Sequence, residues 1–266
     1  MFKNQPKGLI PAALSNMGER FGYYIMNAVL VLFLCSKFGL NEETSGLIYS
    51  CFYAGIYILS LVGGIIADKT QNYKGTIIKG LIIMTAGYAL LAIPILATAE
   101  NTTWLLTLTC AALFLIAFGN GLFKGNLQAI VGQLYDNPKY ADKRDSGFQI
   151  FYVFINIGGL IAPFVAPYLR EWWLSANDMV YNASFPEMCH QVLGGSADKL
   201  TEITDFATKV GYNGVESLKE FCGQYLDVFN SGIHFSFIAS VAAMLISLTI
   251  FLSLIHISEP TRHSLI

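Results

Sequence analysis

Six apolar runs, each long enough to cross a lipid bilayer, constrain this chain more than any other feature of its sequence. A helix needs about 20 mostly apolar residues to cross roughly 30 Å of hydrocarbon. The runs cover residues 9–36, 45–67, 76–98, 103–134, 146–168 and 231–254. Only 13% of the residues are charged, well below the roughly 25% that is typical of soluble domains. The sequence therefore predicts an all-α membrane protein with six transmembrane helices.

The runs divide the chain and predict its orientation. Residues 1–168 hold transmembrane helices 1–5, residues 169–230 form a polar segment, and residues 231–254 form helix 6. Lys and Arg are enriched in cytoplasmic loops. They cluster before helix 1 and in the loops after helices 2 and 4: Lys3, Lys7, Lys69, Lys74, Lys139, Lys143 and Arg144. We therefore expect a cytoplasmic N-terminus and an extracytoplasmic insert at 169–230. The net charge of −2 argues against a nucleic-acid partner.

The five cysteines show no metal-ligand spacing. Cys189 and Cys222 share the polar segment, and an extracytoplasmic location would place them in an oxidising compartment. A disulfide between these two cysteines is one prediction, and two free thiols are the alternative.

Polar residues in four of the predicted helices fall at one depth. Arg20, Tyr57, Lys124 and Asn156 each lie about ten residues from the cytoplasmic end of their helix, or about 15 Å at 1.5 Å per residue. Ionisable groups inside a membrane are costly and usually face a cavity or one another. This pattern predicts a solute pocket near the bilayer midplane. One alternative is a structural ion pair of Glu19 with Lys124 or Arg20. Another is that Tyr23, Tyr24 and Tyr57 only pack against other helices or face lipid.

The first helix carries a polar stripe within its apolar run. Asn16, Arg20, Asn27 and one of the adjacent Tyr23 and Tyr24 recur at spacings of three and four residues. Such a spacing places the side chains on one face of a helix. Glu19 lies at the edge of that face. The stripe indicates a helix that borders a water-filled path.

Four stretches resemble signatures of the proton-dependent oligopeptide transporter (POT) family of the major facilitator superfamily. They are ERFGYY in helix 1, GGIIADK after helix 2, GNGLFKGNLQAIVGQLYD in helix 4 and RDSGFQIFYVFINIGGLIAP in helix 5. The last has Gly159 where the family usually has serine. The resemblance covers most of residues 10–168 and implies the six-transmembrane-helix N-terminal bundle of a major facilitator fold.

The same resemblance implies roles for individual residues. The positions matching the family's peptide pocket are Arg20, Tyr23, Tyr24, Tyr57, Lys124 and Asn156. Lys124 and Arg20 would meet the peptide carboxylate, whereas Tyr57 and Asn156 would bind its backbone. Proton coupling would involve Glu19, Arg20 and Lys124. Asp68 matches a conformational gating position.

Two positions depart from the family pattern. Asn16 stands where the family has a glutamate, and Asn27 stands where its peptide transporters usually have an arginine. Asparagine does not titrate, so residue 16 carries no proton. Coupling through Glu19, coupling through the other half of the transporter, loss of coupling and an altered substrate all remain open.

The function implied is secondary active transport of di- and tripeptides by alternating access, driven by proton influx across a bacterial inner membrane. We expect no enzymatic activity, no cofactor and no metal, since HExxH, GxSxG and paired-acid motifs are missing from the sequence. The expected partners are small peptides, protons and the lipid bilayer. The alternatives are a major facilitator permease for another small solute or without proton coupling, and a membrane-anchored receptor or scaffold that uses the 169–230 insert.

The family resemblance implies a second six-helix bundle that follows helix 6. The last residues, 253–266, change from apolar to polar, and LIHISEPTR resembles a translated sequencing adapter. We expect a non-native tail at 253–266, with a genuine cytoplasmic tail as the alternative. We also expect that the C-terminal bundle is absent and that the 266-residue chain does not transport by itself.

Overall fold

Eight α-helices make up most of the computed structural model, which describes residues 4–98, 100–195 and 200–257. They are α1 (Leu9–Phe38), α2 (Glu42–Thr70), α3 (Tyr73–Ala92), α4 (Thr102–Gln133), α5 (Arg144–Ala176), α6 (Phe185–Leu193), α7 (Leu200–Lys209) and α8 (Leu218–Ile257). Within these described ranges, six helices (α1 to α5 and α8) are long and apolar enough to cross a membrane. The protein is therefore an all-α integral membrane protein, as its apolar runs predict.

Several helix ends differ from the apolar runs. The fifth helix continues past residue 168 to Ala176, and the last begins at Leu218 rather than at 231. Apolar runs mark the part of a helix in hydrocarbon, whereas helices continue beyond it wherever backbone hydrogen bonds persist. The polar segment between α5 and α8 is thus shortened to residues 177–217, here called the α5–α8 insert. Of the predicted tail at 253–266, residues 258–266 lie outside the described residues.

The third helix is shorter than its apolar run, which extends to residue 98. It ends at Ala92, and Ile93 has the extended backbone that a following proline imposes. Pro94 also lacks the N–H that a further helical turn would need. The residues after α3 consequently form a non-helical wall at one end of the bundle.

Side-chain caps and one glycine determine where the helices begin and end in the short connections between α1, α2 and α3. The Asn41 side chain accepts a hydrogen bond from the Thr44 N–H at the start of α2, and Asn72 does the same for Gly75 at α3. Gly39 ends α1 with φ of 64°, a left-handed conformation that glycine adopts without a steric penalty. Because these connections are short, α2 runs antiparallel to α1, and α3 runs antiparallel to α2.

Glycines allow the fourth helix to approach both α2 and α3 closely. A Cβ atom on Gly63 of α2 would collide with the backbone oxygen of Gly121 in α4, and one on Gly80 of α3 would lie 2.7 Å from the oxygen of Gly119. Small residues let helix backbones pack closely in membranes, where helices gain no hydrophobic free energy by leaving lipid. This packing fixes the rotation of α4 about its axis. It therefore determines the direction in which each polar side chain of α4 extends.

Serine hydrogen bonds join the first and last transmembrane helices. The hydroxyls of Ser15 and Ser247 lie 3.0 Å apart, and Ser247 also donates to the backbone oxygen of Ser15 at 2.6 Å. Ser240 donates to the backbone oxygen of Gly22 at 2.8 Å. Because the three serines are buried, their hydroxyls satisfy one another and the backbone in place of water.

The α5–α8 insert packs on the bundle. The Phe185 ring of α6 contacts Tyr225 of α8 edge-on, with centroids 4.8 Å apart. The Tyr225 hydroxyl donates to the Val180 oxygen at 2.9 Å, and His190 lies 2.7 Å from the Ser36 oxygen. The insert is therefore fixed to the end of the bundle where α1 ends.

Candidate functional site

A buried ion pair lies at the centre of the predicted site. The guanidinium of Arg20 donates from Nε and Nη2 to the two carboxylate oxygens of Glu19, at 2.5 and 2.7 Å. Glu19 is fully buried and Arg20 is 8% exposed. The Asn120 side chain of α4 donates a third hydrogen bond to Glu19, at 2.7 Å. The carboxylate of α1 is thus satisfied by its own neighbour and by α4.

The structure shows which cation pairs with Glu19, a choice between Arg20 and Lys124 that the sequence left open. Glu19 pairs with Arg20, and Lys124 takes no part in that pair. The contact between α1 and α4 is made by Asn120 instead, one turn before Lys124. A neutral amide therefore connects the two helices where a second cation was considered.

Lys124 has a different environment. Its ammonium lies 5.2 Å from the centre of the Tyr57 ring, and the Tyr57 hydroxyl is 3.1 Å from that of Tyr53. Lys124 is half-buried and the two tyrosines are exposed. Glu19 is paired with Arg20, and no carboxylate of the described residues forms an ion pair with Lys124. Lys124 consequently has an aromatic neighbour but no carboxylate partner there.

Aromatic rings connect the two parts of the site. The Arg20 guanidinium lies 5.0 Å from the centre of the Tyr23 ring, which meets Tyr24 edge-on at 5.3 Å. Tyr53 is within electrostatic range of both rings. A Cβ atom on Gly159 of α5 would lie 3.0 Å from the Tyr24 ring. The rings therefore continue from the buried ion pair towards α2 on one side and α5 on the other.

The remaining predicted residues lie at the edge of this group or outside it. Asn156 is exposed on α5, one turn before Gly159, and makes no hydrogen bond to the site within the described ranges. Asp68 is exposed at the end of α2, where it accepts a hydrogen bond of 2.6 Å from the Tyr73 hydroxyl of α3. Asp68 thus stabilises the turn between α2 and α3. It has no recorded contact with Glu19 or Arg20.

The two positions that depart from the family pattern are both in the bundle. Asn16 is 6% exposed. The side-chain oxygen of Asn27 is buried and accepts no hydrogen bond from any described residue. Neither side chain can hold a proton, so Glu19 is the buried carboxylic acid of this helix.

Three participants were missed by the sequence reasoning. Asn120 binds Glu19, Tyr53 binds Tyr57, and the buried Tyr88 hydroxyl of α3 lies within electrostatic range of Glu19 and Arg20. A signal existed for two of them. Asn120 precedes Lys124 by four residues, and Tyr53 precedes Tyr57 by four, so each shares a helix face with a predicted residue.

The two cysteines of the predicted disulfide lie side by side. Cys189 of α6 and Cys222 of α8 are both buried free thiols, and each lies in the other's immediate surroundings. Burial raises the pKa of the Cys189 thiol. Their adjacency supports the pairing, and the disulfide stays a prediction.

Comparisons with known proteins agree on one family. A model of the POT family, PTR2, matches residues 74–254, more than half of the chain. The di-/tripeptide transporter of Lactococcus lactis subsp. cremoris is 37% identical over 171 residues, which is 62% of this chain and 32% of that protein. The dipeptide and tripeptide permease A of Chromobacterium violaceum is 34% identical over 167 residues, or 63% and 32%. The chain spans about a third of the length of these curated relatives.

Solved structures give the same result for the fold. A crystal structure of a peptide transporter POT in complex with sulfate matches with a TM-score of 0.63 and 26% identity, covering 95% of this chain and 38% of that one. Tetrameric PepTSo2 matches with a TM-score of 0.64 and 25% identity, covering 94% and 41%. The described helices therefore have the arrangement found in one part of these longer transporters.

Proposed function

The chain belongs to the POT family, a family of transporters, and on that premise we propose that its six-helix bundle forms one half of a membrane pathway for di- and tripeptides. The curated relatives are named as carriers of these solutes. Transport would proceed by alternating access, in which two bundles rock around a midplane site. Since the chain spans 32% of the relatives' length, we expect a second bundle to be needed, and we propose a transport role rather than catalysis.

Lys124 carries this proposal. Its ammonium is half-buried over the Tyr57 ring and has no carboxylate partner among the described residues. A cation in low-dielectric surroundings binds an anion more strongly than one in water does. A peptide's terminal carboxylate is the anion that every di- and tripeptide supplies. Lys124 is therefore proposed to bind that carboxylate, with Tyr57 beside it.

Glu19 and Arg20 are proposed to provide proton coupling. In the described conformation, the carboxylate of Glu19 accepts three hydrogen bonds. A rotation of α1 against α4 would break the bond from Asn120 and expose one carboxylate oxygen. Proton uptake by Glu19 would then accompany the conformational change.

The membrane orientation is part of the proposal. The Lys and Arg residues at the loops after α2 and α4 support a cytoplasmic N-terminus and an extracytoplasmic α5–α8 insert. The bacterial sources of the relatives support an inner-membrane location. The proton gradient would supply the energy, so the proposal includes no cofactor.

A binding experiment on the 266-residue chain tests the role of Lys124. Dialanine and its C-terminal amide are titrated into the chain in lipid nanodiscs by calorimetry. We expect the free carboxylate to bind about tenfold more tightly, as one charge-assisted hydrogen bond would give. Lys124→Met should remove this difference, and Lys124→Arg should retain part of it.

A second lysine provides the matched control. Lys79 on α3 is exposed and takes no part in the site, so Lys79→Met should leave the preference for the carboxylate unchanged. Equal binding of dialanine and its amide to the unmodified chain would refute the assignment of Lys124.

Proton coupling needs a transport experiment on the full-length protein that carries this bundle. Dialanine uptake into liposomes is measured with and without an inward proton gradient, and again with Glu19→Gln. Coupled transport requires that the gradient drives accumulation and that Glu19→Gln abolishes accumulation. Uptake that is independent of the proton gradient would agree with the transport proposal but refute proton coupling.

One alternative is favoured by specific residues. Asn16 and Asn27 replace an acid and a base of the family pattern, which supports a permease without proton coupling or for another small solute. Competition of dialanine uptake by amino acids, peptides and nitrate distinguishes the solutes. A receptor or scaffold role is less well supported, because the α5–α8 insert packs on the bundle through Phe185 and His190.

A further inference from the structure

A polar cavity lies apart from the proposed peptide site, at the end of the bundle where α1 ends. It has a volume of about 280 Å³ and is bounded by the last turn of α1, the residues after α3, α6 and the first half of α8. None of the predicted site residues lines it. Its polar lining includes Lys37, His190, Asp227, Asn230 and His234.

The ammonium of Lys37 is buried in this cavity wall. Lys37 is the penultimate residue of α1, a position from which a lysine ordinarily extends to water. Here it is only 8% exposed, and its Nζ lies 5.0 Å from the Phe33 ring centre and 3.2 Å from Nε2 of His234. The side chain is thus directed into the bundle.

The histidine beside Lys37 does not neutralise its charge. His234 Nδ1 lies 2.9 Å from the backbone oxygen of Leu91, and a carbonyl oxygen only accepts hydrogen bonds. Nδ1 therefore carries the ring proton, and Nε2 accepts from the Lys37 ammonium. This arrangement uses one of the three N–H groups of Lys37 and leaves the positive charge in place.

No carboxylate in the described part of the chain pairs with Lys37. The ion pair of Glu19 and Arg20 lies in a different part of the bundle. Asp227 lines the same cavity but is exposed, and its carboxylate is beyond 4.0 Å of the ammonium. Burying a cation is costly unless an anion or several hydrogen bonds compensate. The buried ammonium therefore adjoins a cavity in which no carboxylate of the described residues compensates its charge.

We propose that this cavity binds a small monovalent anion, a halide or a short carboxylate, on the Lys37 ammonium. The cavity volume of about 280 Å³ exceeds the roughly 30 Å³ that one water occupies in the liquid, so such an anion fits with several waters. The anion would face the two unused N–H groups of Lys37. Since α6 forms one wall, the bound anion would also hold the α5–α8 insert against α1 and α8.

The test uses the 266-residue chain in detergent micelles, with sodium chloride or sodium acetate as the probe. Each salt replaces sodium gluconate at constant ionic strength, and the unfolding temperature is followed by tryptophan fluorescence. We expect a saturable rise with at least one probe. A rise with chloride alone identifies a halide site, a rise with acetate alone a carboxylate site, and a rise with neither overturns the proposal.

Two variants show whether a saturable effect arises at this cavity. Lys37→Met removes the charge with little change in volume and should weaken the apparent affinity at least about tenfold, the loss expected for a charge-assisted hydrogen bond. Asp227→Asn removes the nearby negative charge and should tighten it. If Lys37→Met retains the wild-type affinity, the proposal is wrong. If Lys37→Met cannot be purified as a monodisperse protein, Asp227→Asn decides, because an unchanged affinity there overturns the proposal.

Discussion

Replacing Glu19 by glutamine tests the buried ion pair most directly. Glutamine keeps the volume of the side chain but removes the charge that accepts two hydrogen bonds from Arg20 and one from Asn120. Because Arg20 is 8% exposed, its cation would remain buried without a counter-ion. Breaking a buried pair on one side typically costs about 3–5 kcal/mol. We therefore expect Glu19→Gln to lower the free energy of unfolding by about that amount.

The assay is unfolding by sodium dodecyl sulfate in mixed micelles, followed by tryptophan fluorescence. Free energies are compared at one detergent fraction for Glu19→Gln, Arg20→Met and the double variant. The double variant removes both charges, so it should be less destabilised than the sum of the two single variants by several kcal/mol. Glu42→Gln, at an exposed site in the first turn of α2, is the matched control and should cost within about 0.5 kcal/mol.

Two results would refute this reasoning. One is a cost for Glu19→Gln below about 1 kcal/mol, which would mean that the buried Arg20 needs no counter-charge. The other is simple additivity of the two single variants, which would mean that Glu19 and Arg20 do not interact in the folded state.

Four further outcomes follow from helix contacts and from the cysteines. Gly121→Val should lower the unfolding temperature and cost about 1–3 kcal/mol or more, because any Cβ there would collide with the α2 backbone, whereas Gly125→Ala, with open space around it, should change little. Ser240→Ala should cost about 0.6 kcal/mol in the same assay, since its hydroxyl bonds across the α1–α8 contact. Mild oxidation should link Cys189 to Cys222 in peptide maps. Burial raises the pKa of Cys189, so its alkylation in the folded, reduced chain should be slow at pH 8 and accelerate as the pH rises.

Much of the fold was predictable because it depends on local properties. The apolar runs predict six spanning helices, and the structure has six of sufficient length among its described residues. The helix ends were less predictable where a polar helical stretch continues beyond the apolar run, as in residues 218–230 at the start of α8. That stretch buries Phe221, Tyr225 and Phe229 against the insert, a contact that hydropathy does not record.

The common depth of the candidate site stays a prediction from the sequence, and its contacts could not be predicted. Counting residues places Arg20, Lys124 and Asn156 at one level, because every helical residue advances about 1.5 Å. Which side chains meet at that level depends on how each helix is rotated. That rotation is set by distant backbone contacts such as Gly63 against Gly121. The family resemblance supplied expected roles for these residues, but it did not identify Asn120 as the partner of Glu19.

The amino-acid sequence by itself determined that this chain crosses a membrane and that helix 1 has charged residues in its apolar run, because hydropathy and helical rise are local. Only the tertiary structure decided which charges are neutralised. Glu19 and Arg20 satisfy each other, whereas Lys37, at the predicted outer end of α1, is buried against His234 of α8 with no carboxylate partner in the described residues. Burial and charge pairing depend on residues that are distant in sequence and are brought together by helix packing.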